Sequence, residues 1–154
     1  LFTGIANEEL VNVRLKDVDL GGMRIQIAME RRNKARQVLF PPFFRDELTD
    51  YIRIQRDKGA FYLFESNRKT KYSTRWVREI MKRYAEKAGI SKRIVPYFFR
   101  HQLLSYLKEK GIMDAKVQLL SGLKHRGNLG FYKEIGLSDV EHEYRDAMDE
   151  FPIK

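Results

Sequence analysis

Cysteine is absent from the 154 residues. That excludes disulfides, thiolate-bound metal and a cysteine nucleophile, and it fits a reducing compartment such as the cytoplasm. Proline is scarce, at four residues, and no apolar run approaches the roughly 18–20 residues that a membrane-spanning helix needs. Acidic residues are short relative to basic ones: 21 Asp and Glu face 30 Lys and Arg, a net charge of +9. That excess favours a polyanionic partner, most simply nucleic acid. What is plentiful is apolar surface. At 43% hydrophobic residues the chain is expected to fold, as one domain over residues 1–154 with a real core. The opening Leu1-Phe2-Thr3-Gly4 carries no Met and reads as the middle of a longer protein.

Hydrophobic periodicity divides the chain into elements. Ile5, Leu10 and Val13, with Glu8 and Glu9 between them, predict a helix over residues 4–14. Asp17 to Gly22 reads as a turn. Arg24 to Met29 alternates polar and apolar, the period of a half-buried strand, and Gln37 to Phe40 returns as a second strand. The two make a hairpin with a basic tip, Arg31-Arg32-Asn33-Lys34. Pro41-Pro42 suits the first turn of a helix to about Lys58, stopped by Gly59. Ser73 is a plausible N-cap for a helix to about Lys87, ended by Gly89. Within it, Trp76 is expected in the core, and Arg75, Arg78, Lys82 and Arg83 form a basic face. Further helices are predicted from Pro96 to Lys108, from Asp114 to about Leu120, and over 126–135 and 138–149. The fold class is mainly α with a small antiparallel β-sheet. Residues 136–154 form a C-terminal tail helix whose apolar positions, Leu137, Val140, Tyr144, Met148 and Phe151, require docking on this domain or on a partner.

Chemistry-bearing residues gather late in the chain. Arg100-His101 lies on a predicted helix, His125 and Arg126 follow in a turn, and Tyr132 comes seven residues after His125. A phenol has a reference pKa near 10 and needs positive charge or a base to act as a nucleophile at neutral pH. Planar guanidinium groups bind phosphoryl oxygens and stay charged. Imidazoles donate hydrogen bonds or move protons. Phenol, guanidinium and imidazole together suit attack on a phosphodiester without a metal. Each also has a blander reading: Tyr132 as a core aromatic beside Phe131, Arg100 as an ion-pair residue, His101 as a helix buttress, His125 as a phosphate or solvent contact. Arg31, Arg32, Lys34 and Arg36 on the hairpin, with Arg75 and Arg126, are candidate contacts to DNA phosphates.

These pieces resemble the catalytic domain of the tyrosine recombinases, the integrases of viruses and mobile elements, over about residues 1–135. The resemblance is carried by Thr3-Gly4-Ile5-Ala6-Asn7-Glu8-Glu9-Leu10, the basic hairpin, Pro96-Tyr97-Phe98-Phe99-Arg100-His101, Val117-Gln118-Leu119-Leu120-Ser121-Gly122 and Tyr132. It implies that Tyr132 attacks a phosphodiester of double-stranded DNA, forms a 3′-phosphotyrosine and releases a 5′-hydroxyl, with no metal or other cofactor. It implies action as a homo-oligomer, a tetramer, on DNA, and an N-terminal DNA-clamping part outside this sequence. A divergent lineage such as an archaeal virus or plasmid integrase fits the departures. Where the family places its first catalytic arginine stands Ala6, natural or engineered, which implies an impaired site. Tyr97 replaces the first histidine of the box and reads as structural. Leu123 fills the last histidine's slot, nine residues before Tyr132, with His125 two positions late. The leaving 5′-oxygen needs a proton; spacing favours Arg31 and chemistry favours Lys34, whose ammonium can be tuned downward. The alternative is a DNA-binding module that kept the fold and lost the chemistry.

Overall fold

The computed structural model of the chain describes residues 1–28, 35–122 and 135–153. Strands β1 (Val18–Asp19), β2 (Arg24–Ile27) and β3 (Arg36–Leu39) form an antiparallel sheet in the order β1-β2-β3. Ile25 pairs with Val18 on one side and Val38 on the other. Ile25 and Ile27 are buried while Gln26 is exposed, as the pleat requires. The expected turn after Asp17 is richer than its sequence suggests. A 3₁₀ turn, Leu15–Asp17, leads into β1, and the Asp19 carboxylate accepts from the Gly22 N–H at 2.9 Å to close the reversal.

The helix expected over residues 4–14 is a single turn, α1 (Asn7–Leu10). The chain then extends and runs beside residues 61–63: the Leu15 N–H donates to the Phe61 carbonyl at 3.1 Å, and the Leu63 N–H to the Val13 carbonyl at 2.8 Å. Val11, Val13 and Leu15 are all buried, Val11 in the αR turn that ends α1, Val13 beside the short bridge of Arg14 to Tyr62 and Leu15 at the start of the 3₁₀ turn, so one apolar run serves three local conformations.

A 3₁₀ turn at Pro42–Phe44 enters α2 (Arg45–Asp57), which buries Leu48 and Ile52. Helix α3 (Thr74–Lys87) starts where expected, the Ser73 hydroxyl accepting from the Trp76 N–H at 3.1 Å. Trp76 itself is not in the core. It is 39% exposed and lies flat on Tyr72, ring centroids 3.5 Å apart, so the partner that shields it is one neighbouring ring. Helices α4 (Pro96–Glu109), α5 (Asp114–Ser121) and α6 (Ser138–Asp149) complete the described elements. The helix expected over 126–135 falls almost wholly outside the described residues.

Two apolar clusters hold these elements. Ile25, Ile27, Val38, Phe40, Leu48, Ile52 and Leu63 join the sheet to α2. Leu103, Leu107, Val117, Leu120, Val140, Tyr144 and Met148 join α4, α5 and α6. The tail helix therefore docks on its own chain. The Tyr144 hydroxyl lies 2.9 Å from the Phe2 carbonyl and 3.2 Å from that of Leu39, and Arg24–Glu141 and Lys116–Glu143 ion pairs, at 2.6 and 2.5 Å, flank it. No described helix is long and apolar enough to cross a membrane.

Candidate active site

Pro96 fits the first turn of α4, where its missing N–H is no loss, and Val95 before it is extended. Tyr97, Arg100 and His101 follow at helical spacings of three and four and so share a side of α4. Arg100 is buried, with 9% of its surface exposed. Its Nη1 donates to the Gly4 carbonyl and its Nη2 to the Ser121 carbonyl, both at 2.7 Å. Gly4 takes a left-handed φ of +59°, and a Cβ there would press on Leu103 at 3.3 Å. Ser121 ends α5, where carbonyls lack intrahelical partners and cations are favoured. One residue earlier, the Leu120 carbonyl accepts from Arg36 Nε at 3.1 Å.

Arg36 was expected as a phosphate contact on the hairpin, and its position argues against that role. It sits at the start of β3, its side chain only 7% exposed, and grips Glu9 with both terminal nitrogens, at 2.6 and 2.9 Å. Glu9 is equally hidden, at 2% side-chain exposure, and also accepts from the Ala6 N–H at 2.8 Å and faces Arg100 at 4.0 Å. Burial alone would push its carboxyl upward. The Arg36 hydrogen bonds, the Ala6 N–H and the two arginine charges outweigh this and hold it below the ordinary carboxylate value. For Arg100, burial pulls the guanidinium below its usual value, Glu9 opposes that and Arg36 adds to it. Gly122 closes the arrangement: with φ at +69°, any Cβ would sit 2.8 Å from the Arg36 guanidinium.

In front of this network lies a cavity of about 480 Å³ whose walls include Ala6, Asn7, Arg78, Tyr97, Arg100 and Gly122. It unites the turn before α1, helix α3, the head of α4 and the end of α5. Tyr97 is 69% exposed at its mouth. His101 is exposed, does not line the cavity, has its ring centroid 6.2 Å from that of Tyr97, and places Nδ1 3.4 Å from the Ser105 hydroxyl. Arg75 is exposed on α3 and also outside the lining. A second cavity, about 410 Å³, borders Arg100 too, but Phe44, Leu48, Leu63 and Phe64 make it apolar and unsuited to an anion.

Tyr132, His125, Arg126, Leu123, Arg31, Arg32 and Lys34 lie outside the described residues. Three contributors had no clear signal in the sequence. Glu9 enters the sequence only between the apolar positions of the first helix and, like Asn7, as a letter of the opening motif with no role of its own. Asn7 Nδ2 donates to the Thr74 carbonyl at 3.0 Å and ties α1 to α3. Arg78 reads as one charge among four on a basic helix, and only the packing of α3 on α1 and α4 brings it to the cavity. Chemically, the cavity offers fixed guanidinium N–H groups to an oxyanion, beside an exposed phenol.

The profile of the phage integrase family matches residues 1–135. The chain is 32% identical over 141 residues to the tyrosine recombinase XerA of Thermococcus kodakarensis, covering 90% of this chain and 48% of that protein. It is 30% identical over 148 residues to a tyrosine recombinase of Pseudothermotoga lettingae, covering 96% and 50%. The chain thus spans about half the length of the curated relatives it matches. Among solved structures, a XerA recombinase superposes with a TM-score of 0.73 at 24% identity, covering 94% of this chain and 53% of that one. The Tn1549 transposon integrase in complex with circular intermediate DNA gives 0.67 at 19%, covering 92% and 53%. At these identities the superpositions establish the fold, a mainly helical recombinase-type domain with a small antiparallel sheet.

Proposed function

The chain belongs to the phage integrase family of tyrosine recombinases, and from that membership we propose that it cuts and rejoins double-stranded DNA through a 3′-phosphotyrosine formed on Tyr132. The observation that carries this reading is the cavity joining Ala6, Tyr97, Arg100 and Gly122, positions far apart in sequence, in front of a buried Arg100–Glu9–Arg36 network. Arg100 lines that cavity, and two of its five N–H groups are spent on the Gly4 and Ser121 carbonyls, which with Glu9 at 4.0 Å fix the plane of the fork whose remaining donors would meet phosphoryl oxygens. A guanidinium held in this way needs little reorganisation as charge builds on the phosphate.

In the reaction proposed, the Tyr132 oxygen forms a bond to phosphorus as the bond to the 5′-oxygen breaks. The phenol loses a proton and the leaving oxygen gains one. His101, exposed beside Tyr97, and His125 are the candidates to accept the first; Arg31 and Lys34 remain the candidates to supply the second. A 5′-hydroxyl of another strand then reverses the step. Duplex DNA is the partner the +9 charge and the exposed Arg75, Lys82 and Arg83 favour. Assembly as a homo-oligomer on DNA, inside the cell, completes the proposal; α6 buries its apolar face on its own chain, so subunits would meet through other surfaces.

Ala6 presents a methyl group where the resemblance implies an arginine, so the site is proposed to be impaired. A nicked duplex that cannot religate should trap a covalent adduct with the full-length protein; Tyr132→Phe should abolish it and Ala6→Arg should raise its rate. A second reading rests on Ala6 and Tyr97 together: a DNA-binding module without chemistry. Salt-sensitive duplex binding, with no adduct even after Ala6→Arg, would select that reading.

A further inference from the structure

The cavity holds one more guanidinium than its sequence motifs assign to it. Arg78 projects from α3 and lines the wall shared by Ala6 and Arg100. Its side chain is exposed, and it makes no hydrogen bond or ion pair with another described residue. Its neighbours on α3 are differently placed: Lys82 pairs with Glu86 at 3.7 Å, and Arg75 does not reach the cavity. A phosphodiester under attack spreads charge over two non-bridging oxygens, which one fork already shared with two carbonyls meets incompletely. Ala6 adds nothing to that demand.

A second feature points the same way. Asn7 lines the same cavity, and its Oδ1 is buried with no partner among the described residues, while its Nδ2 is tied to Thr74. An orphan buried acceptor is costly unless a donor reaches it. A rotation that brings the Arg78 guanidinium against it would give it one N–H and keep the others for an anion.

We propose that Arg78 is the second phosphate-binding guanidinium of this site, oriented by the Asn7 carboxamide oxygen, and that it supplies charge that Ala6 does not. This rests on the reading above that the cavity receives a phosphate. Arg78 binds a non-bridging oxygen throughout and exchanges no proton, so the atom balance of the Tyr132 step is unchanged.

Two measurements test it. In the first, inorganic phosphate is titrated into the chain and the Nε–H resonances of Arg78 and Arg100 are followed by NMR. Both should shift with one midpoint, and Arg78→Gln should weaken binding about tenfold, as loss of one charge-assisted contact does, while Arg56→Gln, on exposed α2 away from the cavity, leaves it unchanged. A titrating Arg100 beside a silent Arg78 overturns this proposal alone. If both stay silent and no adduct forms on nicked DNA, the phosphate-site reading falls with it.

The second measurement is the adduct rate of the full-length protein at saturating concentration. Arg78→Gln should slow it ~10²–10³-fold; Ala6→Arg should recover most of that loss, yet gain less than about tenfold when Arg78 is present. Weaker duplex binding with an unchanged single-turnover rate would make Arg78 an ordinary backbone contact and overturn the proposal. Because Arg78 is exposed, the variant should keep the parent's circular dichroism spectrum.

Discussion

Replacing Glu9 with glutamine removes one charge and almost no volume. The side chains around that charge are 2% exposed for Glu9, 7% for Arg36 and 10% for Arg100. Water therefore cannot take over the role of the lost carboxylate, and two guanidinium groups are stranded. Breaking a buried pair by deleting one partner costs about 3–5 kcal/mol, a large share of the roughly 5–15 kcal/mol that stabilises a domain. For a chain of this size, about 2–4 °C per kcal/mol puts the fall in Tm at roughly 6–20 °C. Urea unfolding at pH 7, followed by circular dichroism, should show the midpoint falling with an unchanged slope. Arg36→Met in the Glu9→Gln background should return part of the loss, since one stranded cation is gone. A loss under about 1 kcal/mol, the range of exposed pairs, would refute the reasoning, because it would mean that water screens the network in solution.

The same residue sets an acid limit. Glu9 ionises more readily in the folded chain than at the ordinary value of 4.5. Its contribution is therefore complete above that value and drains away as the pH falls through the lowered folded one. Glu9→Gln should lack that part of the acid sensitivity, which parallel unfolding curves below pH 5 would reveal.

Two further outcomes follow from the packing. Tyr144→Phe removes the hydroxyl that reaches the Phe2 and Leu39 carbonyls and should cost about 1–2 kcal/mol in the same unfolding assay; because burial pushes this phenol well above its ordinary value of 10, the parent should also lose stability as the pH rises past 10, and the variant should not lose that part. Gly122→Ala and Gly59→Ala face similar left-handed backbones, φ +69° and +66°, but only at Gly122 would a Cβ strike Arg36; both should lose about 1–2 kcal/mol to backbone strain, with a measurable excess for Gly122→Ala, and equal losses would place Arg36 elsewhere in solution.

Much of the fold was legible because its causes are local. The Ser73 cap, Pro96 at the head of α4 and the glycines at 59, 89 and 111 act within a few residues of themselves. The alternation from Arg24 to Ile27 is equally direct. The segment after Leu10 misled because an apolar run that serves a helix also fits a turn followed by a short antiparallel bridge, and the backbone of residues 61–63 decided between them. The fate of Trp76 turned on Tyr72, a ring close in sequence whose stacking the helical period does not encode.

Motif order by itself determined the family and the candidate chemistry: Arg100 in its box, the gap at Ala6 and the phenol at Tyr132 are facts of the linear chain. Tertiary structure alone decided which charges are spent on one another among the described residues and which face the cavity. Arg36 and Glu9 stand 27 residues apart and neutralise each other in the interior, whereas Arg78, indistinguishable from its neighbours as a letter, comes to the cavity wall through the packing of α3. The reason is that a charge's role depends on its distance to other charges and to water, and both are set by folding, not by sequence neighbourhood.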